Sequence, residues 1–375
     1  MQGITIIGAG FAALTAIRSL RRRGVQQPIT VIAPREALHY LPSSIWLAPG
    51  LRRAAQLRIP LGGFFRRHQV QFVQASVTGL RDGGRVVQTD RGEFANSQLL
   101  IASGGRFLHG LPGIEHAHIP CAGLDSAEFI ASRLQAMTGG TIAVGFATNP
   151  AEPGAMRGGP MFEYLFIIDS WLRRQGRRSQ FRLVFFSPSP RPGARLGERA
   201  VDGLLAEMKR RDIATHLGHS LVRFEADKVV TPAGSLHADL ILFMPGITGP
   251  AWLADSDLPL SPGGMVAADA YCQVKGWPGV WVAGDVGSFP GPDWLPKQAH
   301  QADLQAQAAA ANMALALAGQ PPRQRFKAEL VCIVDTLGAG MLVYRSERRH
   351  IVLPALRPLH WLKRGFEWFY LRPLR

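Results

Sequence analysis

Cysteine is scarce in this 375-residue chain, which has only Cys121, Cys272 and Cys332. So few thiols exclude a disulfide-stapled secreted fold and fit a reducing compartment. The sequence has neither a CxxC pair nor a cluster of cysteine and histidine, so we expect no metal site. No apolar run reaches about 18 residues, and we therefore expect no membrane-spanning helix. No charged segment or cleavage site precedes the first strand, so no signal peptide is expected.

Acidic residues are also in short supply. Asp and Glu number 27 against 42 Lys and Arg, which gives a net charge of +15. This balance indicates an acidic partner, such as an anionic membrane, anionic substrates and cofactors, or nucleic acid. No nucleic-acid-binding module is recognisable, so we expect no nucleic acid. The apolar fraction of 47% indicates buried cores, and the length predicts two to three domains.

A glycine-rich turn follows the first apolar segment. Residues 4–7 have the pattern of a buried strand, and residues 8–13 read GAGFAA. A helix is expected over residues 14–23, and a second strand over residues 28–33. This order is typical of a dinucleotide-binding fold, in which the pyrophosphate lies at the helix N-terminus.

The small residues of the turn have distinct tasks. Gly8 permits the tight turn, and Gly10 lets backbone N–H groups approach the phosphates. Ala13 takes the third position, where a small side chain lets the helix pack on the strand. Phe11 and Ala12 complete the predicted contacts at the helix start.

The ribose contact departs from the usual pattern. An acidic residue normally ends the second strand and binds the ribose 2′-OH. Here Glu36 comes about three residues late. Arg35 could instead reach a phosphate or stack on the adenine.

Two further segments read as buried strands that end in small-residue turns: QLLIASGG at residues 98–105 and GVWVAGDV at residues 279–286. Together with the glycine turn they resemble the pyridine nucleotide-disulfide oxidoreductase superfamily of flavoproteins, and this resemblance implies FAD. It implies that Asp285 accepts a hydrogen bond from a ribityl hydroxyl. It also implies a helix over residues 299–318 with its N-terminus toward the isoalloxazine. The other implied cofactor contacts are Ser43, Val77, Ala102, Ser103, Gly104, Gly284 and Lys297.

The order of these segments implies an α/β fold with a split domain. The expected architecture has two Rossmann-like, three-layer domains. The FAD-binding domain comprises residues 1–120 and 265–320, and the second domain is inserted as residues 121–264. Residues 321–375 form a C-terminal region with a strand and an amphipathic helix.

The second domain has no clear NAD(P) fingerprint. In many relatives this domain binds NADH through its own glycine turn, but here residues 145–150 read GFATNP. The turn has one glycine, and Pro150 stands where a phosphate-binding helix would begin. This argues against a type II NADH dehydrogenase or a disulfide reductase.

Four segments resemble the sulfide:quinone oxidoreductase family. They are YLPS at residues 40–43, GGPMFEY at 158–164, LPKQ at 295–298, and VCIVD at 331–335 followed by Gly338. In addition, residues 360–371 resemble the membrane-binding helix of that family. The resemblance implies that electrons pass through FAD to a quinone.

The chain departs from that family at its redox cysteines. The family oxidises sulfide through a cysteine pair near the flavin, and Cys332 matches one partner. Met156 and Arg157 stand where the other is expected, so the usual bridge cannot form. Cys121 matches a further cysteine of some members, but Asp125 replaces the histidine that should follow it. We therefore expect altered or lost sulfide chemistry.

The candidate catalytic residues are Cys332, Lys297, Arg157 and Glu163. Arg157 could hold an anionic substrate or stabilise reduced flavin, and an ordinary loop arginine is the alternative. Cys332 could equally be a small buried side chain. Lys297 could stabilise negative charge on the flavin or lie in solvent. Glu163 could transfer protons at the quinone or simply favour a helix start.

The C-terminal segment is basic and aromatic. Residues 345–375 carry eight basic and two acidic side chains, a net charge of +6. One helical stripe holds Leu359, Leu362, Phe366, Phe369 and Tyr370, widened by Trp361 and Trp368, with Lys363, Arg364 and Glu367 expected opposite. This composition predicts a helix that lies on a membrane surface. A helix that packs on the same chain or in a dimer is the alternative.

Two classes of function remain open. The first is a peripheral flavoenzyme on the cytoplasmic side of the inner membrane, which passes electrons from sulfide or another small-molecule donor to a quinone. The second is a flavin-binding protein without turnover that acts as a binding partner. A quinone reductase of the type II NADH dehydrogenase kind is a further alternative, and homo-oligomerisation is left open.

Overall fold

The computed structural model describes residues 3–375, and its helices and strands are numbered here in chain order. The helices are α1 (Phe11–Arg22), α2 (Ala54–Leu57), α3 (Gly62–Arg67), α4 (Leu124–Ala136), α5 (Gly159–Arg174), α6 (Glu198–Arg210), α7 (Ala299–Leu317) and α8 (Arg357–Leu371). The first strands are β1 (Ile4–Ile7), β2 (Ile29–Ala33), β3 (Ala37–His39), β4 (Arg58–Pro60), β5 (Val70–Gln74), β6 (Val77–Arg81), β7 (Val86–Thr89), β8 (Gly92–Ala95), β9 (Gln98–Ile101) and β10 (Arg106–Phe107). The middle strands are β11 (Gly140–Phe146), β12 (Phe181–Ser187), β13 (Ala214–Leu217), β14 (Arg223–Glu225), β15 (Lys228–Thr231), β16 (Gly234–His237), β17 (Leu240–Met244) and β18 (Ile247–Thr248). The last strands are β19 (Val266–Ala267), β20 (Val280–Val282), β21 (Gly287–Ser288), β22 (Glu329–Asp335), β23 (Gly340–Ser346) and β24 (His350–Leu356).

A parallel five-stranded sheet has the order β20–β9–β1–β2–β5. Every residue of β1 and β9 is buried, as expected for central strands of a covered parallel sheet. Helices α1 and α7 pack against each other, and both bury alanines along their length. The turns after β1, β9 and β20 meet at the carboxyl edge of this sheet, where ligands bind in open α/β folds.

A second parallel sheet has the order β13–β12–β11–β17. Helix α5 packs on it through Phe162, whose ring lies 5.6 Å from that of Phe146 and 5.1 Å from that of Phe185. Strand β11 ends at Phe146 and α5 begins at Gly159. The loop of residues 147–158 lies between them, so no helix starts directly after this strand.

The C-terminal part forms the antiparallel sheet β22–β23–β24, against which α8 packs. Strand β22 lies beside α5 and α7, which brings the C-terminal sheet to both parallel sheets. Most of β24 is exposed. Among residues 3–375 no helix is long and apolar enough to cross a membrane.

The α/β fold class predicted from the sequence is confirmed. Helix α1 begins at Phe11 rather than at residue 14, because residues 11–13 already form its first turn. The helix expected over residues 299–318 is α7. The domain limits at residues 120, 264 and 320 remain predictions.

Candidate active site

One cleft of about 2160 Å³ lies at the carboxyl edge of the first sheet and extends to the second sheet and to α8. Its walls include Gly8, Gly10, Phe11, Ala12, Arg35, Ser43, Val77, Ala102, Ser103, Gly104, Arg157, Glu163, Gly284, Asp285, Lys297 and Cys332. Of the candidate site residues, only Ala13 does not line the cleft. It is fully buried in α1, as its predicted packing role requires. The fold therefore brings the sequence candidates together in one place.

The turn after β1 fits a phosphate group. Gly8 has φ +108°, and a Cβ there would lie 2.4 Å from the carbonyl oxygen of Ala102. At Gly10, by contrast, a Cβ would have no protein atom within 4 Å. No side chain caps α1, so the N–H groups of its first turn are left for a ligand. Open space beside uncapped N–H groups is what a pyrophosphate needs.

The turn after β9 adds an unsatisfied polar atom. The Ser103 hydroxyl oxygen is buried and has no hydrogen-bond partner within the described chain. A buried hydroxyl without a partner is costly, which indicates a ligand atom beside it. Gly104 follows with φ +74°. Arg35, which is exposed after β2, and Val77, which is half-buried in β6, also line the cleft.

Asp285 and Arg157 form an ion pair across the cleft. Both Nε and Nη2 of Arg157 donate to Oδ2 of Asp285, the former at 2.9 Å. Burial opposes the charge on Arg157, but the carboxylate outweighs burial and raises the arginine's pKa. No hydrogen bond among residues 3–375 engages Oδ1 of Asp285, which leaves that oxygen for a ligand hydroxyl. Arg157 is therefore not a free loop arginine.

Lys297 lies next to the same pair. Its Nζ donates to the backbone carbonyls of Asp285 and Gly287. Burial lowers the pKa of Lys297 to about 8, with Arg195 and Arg157 acting in the same direction. Arg195 donates to the carbonyl of Gly154, and burial lowers its pKa to about 10. This end of the cleft therefore holds three cationic side chains around two carboxylates, those of Asp285 and Glu152.

Glu163 and Cys332 lie where the start of α5 meets β22 and α8. The Glu163 carboxylate accepts hydrogen bonds from the backbone N–H of Asp335 at 2.9 Å and from Lys363. Burial raises the pKa of Glu163 against the opposing effect of Lys363. Burial raises the pKa of Cys332 to about 12, so its thiol is protonated at neutral pH. A Cβ on Gly159 would be 3.8 Å from the Cys332 sulfur, which places this thiol against the start of α5.

The C-terminal helix is held to the protein by polar side chains. Lys363 and Glu367 lie opposite the exposed apolar side chains, as expected, and both face the protein. Glu367 accepts from the Ser43 hydroxyl at 2.7 Å and from Arg52 at 2.8 Å. Ser43 thus anchors α8, and its predicted contact with a cofactor remains untested. The stripe pattern did not reveal these contacts, because the partners of the polar side chains are supplied by the tertiary fold.

The outer face of α8 is nevertheless apolar. Its exposed side chains are Trp361 (63%), Leu362 (55%), Phe366 (53%), Trp368 (61%) and Phe369 (71%). Arg364 and Arg372 stack on Trp361 and Trp368, with centroid distances of 5.0 and 5.3 Å. Leu359 and Tyr370, which the sequence placed on the stripe, instead pack inward. We call the five exposed side chains the aromatic face.

Sequence reasoning missed several residues of the cleft. Gln305 of α7 accepts the N–H of Gly284 at 2.9 Å, and Lys363 pairs with Glu163. Asp303 accepts from Thr15 at 2.6 Å, and burial raises its pKa to about 6. A polar residue in the alanine-rich α7 was a usable signal for Gln305. Nothing in the sequence indicated the pairing of Lys363.

The cysteines do not pair. All three are free thiols, and Cys272 is buried with its sulfur 3.4 Å from the carbonyl of Gln305, as expected for a structural residue. Cys121 is buried in the cleft wall, and burial raises its pKa to about 11. Residues 3–375 contain no group of side chains suited to a metal ion.

Comparisons with known proteins agree on one family. The family model described as pyridine nucleotide-disulphide oxidoreductase matches residues 3–306. A sulfide-quinone reductase of Aquifex aeolicus is 23% identical over 399 aligned positions, which cover 99% of this chain and 91% of that protein. The mitochondrial sulfide:quinone oxidoreductase of Mus musculus is 23% identical and covers 76% of this chain and 66% of its own length. The crystal structure of the sulfide:quinone oxidoreductase from Aquifex aeolicus superposes with a TM-score of 0.91 at 22% identity, over 100% of this chain and 92% of that one.

Proposed function

Because this chain belongs to the pyridine nucleotide-disulphide oxidoreductase family, we propose that it is an FAD-dependent oxidoreductase that passes electrons to a quinone at a membrane surface. One observation carries the proposal. The same cleft is lined by the Gly8–Gly10 turn and by Leu362 and Phe366 of the aromatic face. A dinucleotide site and an apolar entrance therefore share one cavity.

The residues of the first sheet fit FAD. Gly8, Gly10 and the first turn of α1 would hold the pyrophosphate, and Ser103 and Oδ1 of Asp285 would bind ribityl hydroxyls. Bound FAD supplies two-electron redox chemistry. Lys297 contributes a positive charge that favours negative charge on the isoalloxazine.

The quinone would enter beside α8. Val331, Leu362 and Phe366 line this end of the cleft, and their exposed apolar surfaces suit a quinone ring and tail. Reduction of a quinone to a quinol consumes two protons. Glu163, whose pKa is raised by burial, and its partner Lys363 are placed to pass protons to the quinone, and protons from solvent replace those they give up.

The aromatic face suits the membrane interface. Trp and Phe with stacked arginines are the side chains that membrane-surface helices present to lipid. We place the protein on the cytoplasmic side of the inner membrane, since its three free thiols fit a reducing compartment. Insertion of this face would put the entrance to the cleft in contact with the lipid phase.

The electron donor is the open part of the proposal. Arg157 stands where a redox cysteine is expected, and its guanidinium is bound to Asp285 rather than to a thiol. The loop after β11 also lacks a helix N-terminus that would hold the phosphates of NAD(P)H. We therefore favour a small anionic donor over NADH.

The proposal is tested by anaerobic reduction of the purified yellow protein. Sulfide, thiols, NADH and NADPH are added in turn while flavin absorbance is followed, and a soluble quinone is then added. Bleaching by a non-nicotinamide donor and recovery on adding quinone supports the proposal. A protein that purifies without FAD and does not take it up overturns it, and rapid bleaching by NADH restores the NADH dehydrogenase alternative.

We expect sulfide to reduce the flavin slowly, because Cys332 has no cysteine partner and its thiol is protonated at neutral pH. Arg157→Cys should accelerate the reaction on the order of 100-fold by restoring a pair beside the flavin. Stopped-flow absorbance measures the rate, and Arg157→Ala is the control for loss of the arginine alone. Fast sulfide oxidation by the wild-type protein that disappears in Cys332→Ser would show that one cysteine suffices.

Glu163→Gln should slow reoxidation by quinone on the order of 10- to 100-fold, because the amide cannot deliver a proton. The amide oxygen can still accept from the N–H of Asp335, so the fold should persist. Flavin reduction by the donor should be unchanged. Glu93→Gln removes a comparable carboxylate from an exposed ion pair and is the control. Equal quinone rates in the three proteins would remove Glu163 from the proton path.

A further inference from the structure

A second pocket of about 570 Å³ lies where α1, α3 and the end of α8 meet. It is lined by Arg18, Arg21, Arg22, Arg67, His68, Arg372, Pro373 and Arg375, and we call it the arginine pocket. Six of its eight lining residues are arginines and none is acidic. None of these arginines has an Asp or Glu carboxylate within 4.0 Å among residues 3–375. The pocket therefore concentrates positive charge, which the nearby carboxylate of Asp303 offsets only in part at Arg18.

Two of the arginines build the pocket. Arg21 donates to the backbone carbonyls of Val25, Gln27, His68 and Gln69, and so joins α1 to the end of α3. Arg67 donates to the carbonyls of Pro373 and Arg375, which ties the end of the chain to α3. These contacts are structural and fix the shape of the pocket.

Other arginines keep their donors unused. Arg22 and Arg375 make no side-chain hydrogen bond or ion pair within the described part of the chain, and Arg372 only stacks on Trp368. Arg18 donates to Thr15 and also interacts with the buried carboxylate of Asp303, which offsets part of its charge. Three guanidinium groups are thus available to an anion in one concave site.

The pocket adjoins the aromatic face. Arg372 lines the pocket while its guanidinium lies 5.3 Å from the ring centroid of Trp368, which is 61% exposed. A group bound there would lie at the level of side chains that we place in the membrane interface. The planar forks of guanidinium groups match the oxygens of a phosphate.

We propose that the arginine pocket binds the phosphate of an anionic phospholipid headgroup. This rests on the membrane docking put forward above and adds a specific lipid class to it. A lipid phosphate is favoured over a free one because Arg372 of the pocket stacks on Trp368 of the aromatic face, so the two surfaces adjoin. One molecule can then place its headgroup among the arginines and its acyl chains beside the aromatic face.

The test uses the flavin-loaded protein and two vesicle compositions, phosphatidylcholine alone and phosphatidylcholine mixed with phosphatidylglycerol. The triple variant Arg22→Gln, Arg372→Gln, Arg375→Gln should lose about 100-fold of its affinity for the anionic vesicles, since each basic residue near the surface contributes about 1 kcal/mol. Binding to neutral vesicles, flavin content and reaction with a soluble quinone should be unchanged. Arg91→Gln, Arg182→Gln, Arg323→Gln removes three exposed arginines outside the pocket and should lose far less.

A second triple variant distinguishes specific phosphate binding in the pocket from general attraction between positive charge and an anionic membrane. The variant Arg22→Lys, Arg372→Lys, Arg375→Lys keeps the charge but not the guanidinium forks, and should bind the anionic vesicles distinctly more weakly than wild type. The proposal is overturned if the lysine variant binds anionic vesicles as tightly as wild type. It is also overturned if the control triple variant loses as much affinity as the glutamine variant of the pocket.

Soluble ligands identify the source of the phosphate. Short-chain phosphatidic acid should compete for the pocket at much lower concentration than inorganic phosphate. Equal competition would make this a free-phosphate site and overturn the lipid assignment. If the wild-type protein binds neither kind of vesicle, the membrane-docking proposal fails. Binding of the short-chain lipid would then still test the arginine pocket separately.

Discussion

Gly10→Val is expected to abolish flavin retention and to leave the fold intact. Gly10 has extended backbone angles, φ −90° and ψ −167°, that any residue adopts, and a Cβ there meets no protein atom within 4 Å. The added methyl groups would instead fill the space beside the uncapped N–H groups of α1. Overpacking of this kind costs about 3 kcal/mol, which weakens FAD binding about 150-fold.

The measurement is the ratio of flavin to protein absorbance after purification, together with the dissociation constant for added FAD. Thermal unfolding of the flavin-free proteins reports on the fold. Gly110→Val is the matched control, because a Cβ there also meets nothing within 4 Å and Gly110 does not line the cleft. Full flavin content in Gly10→Val would contradict the assignment of this turn to the pyrophosphate.

Gly8 shows why the choice of glycine matters. A Cβ at Gly8 would lie 2.4 Å from the Ala102 carbonyl oxygen, and its φ of +108° disfavours any other residue. A substitution there would therefore damage the protein itself and lose flavin indirectly. Only Gly10 separates ligand binding from folding.

The sequence was informative wherever the determinants are local. The strand, glycine turn and helix around residues 4–22 follow from short-range patterns, and the structure places them as expected. The turns at Ser103 and Asp285 could be found because each directly follows a buried strand. Parallel strands bring such turns to the same edge of a sheet, so their meeting in one cleft was predictable.

Pairings between distant residues were not predictable. Arg157 meets Asp285 and Glu163 meets Lys363 across 128 and 200 positions of sequence. The partners of Glu367 were hidden for the same reason. The sequence placed it opposite the apolar stripe, but only the structure shows that Ser43 and Arg52 bind it. A stripe pattern reports apolar side chains and cannot reveal which polar ones find partners inside.

The Arg157–Asp285 pair changes how the missing cysteine is understood. An arginine facing solvent would simply mark a lost function, but this one is bound to the carboxylate predicted to hold the ribityl chain. Its guanidinium has donors on both sides of its fork, so it can contact Asp285 and an anion at once. With Lys297 and Arg195 nearby, the cleft keeps a positive end that suits an anionic donor.

Replacing the aromatic face should release the protein from membranes. The triple variant Trp361→Ser, Trp368→Ser, Phe369→Ser removes three large side chains that are 61% to 71% exposed and support no contact of the cleft wall. Each of these side chains contributes about 1.5–3 kcal/mol to membrane binding if it is fully buried in lipid. We expect their replacement to weaken membrane binding by about 3 kcal/mol in total. Vesicle affinity should then fall at least about 100-fold, and reaction with a long-tailed quinone should fall with it.

Substitution is a sharper experiment than deletion of residues 356–375, because the helix also completes the cleft. Tyr370 packs 5.4 Å from Phe11, and Lys363 pairs with Glu163, so deletion would disturb the flavin and quinone ends together. The control is Phe129→Ser, Val222→Ser, Leu260→Ser, which removes three exposed apolar side chains elsewhere. Flavin content and turnover with a soluble quinone should match wild type in both variants. Unchanged vesicle binding in the α8 variant would show that this face covers something other than lipid, because three large apolar side chains cannot leave an interface without weakening it.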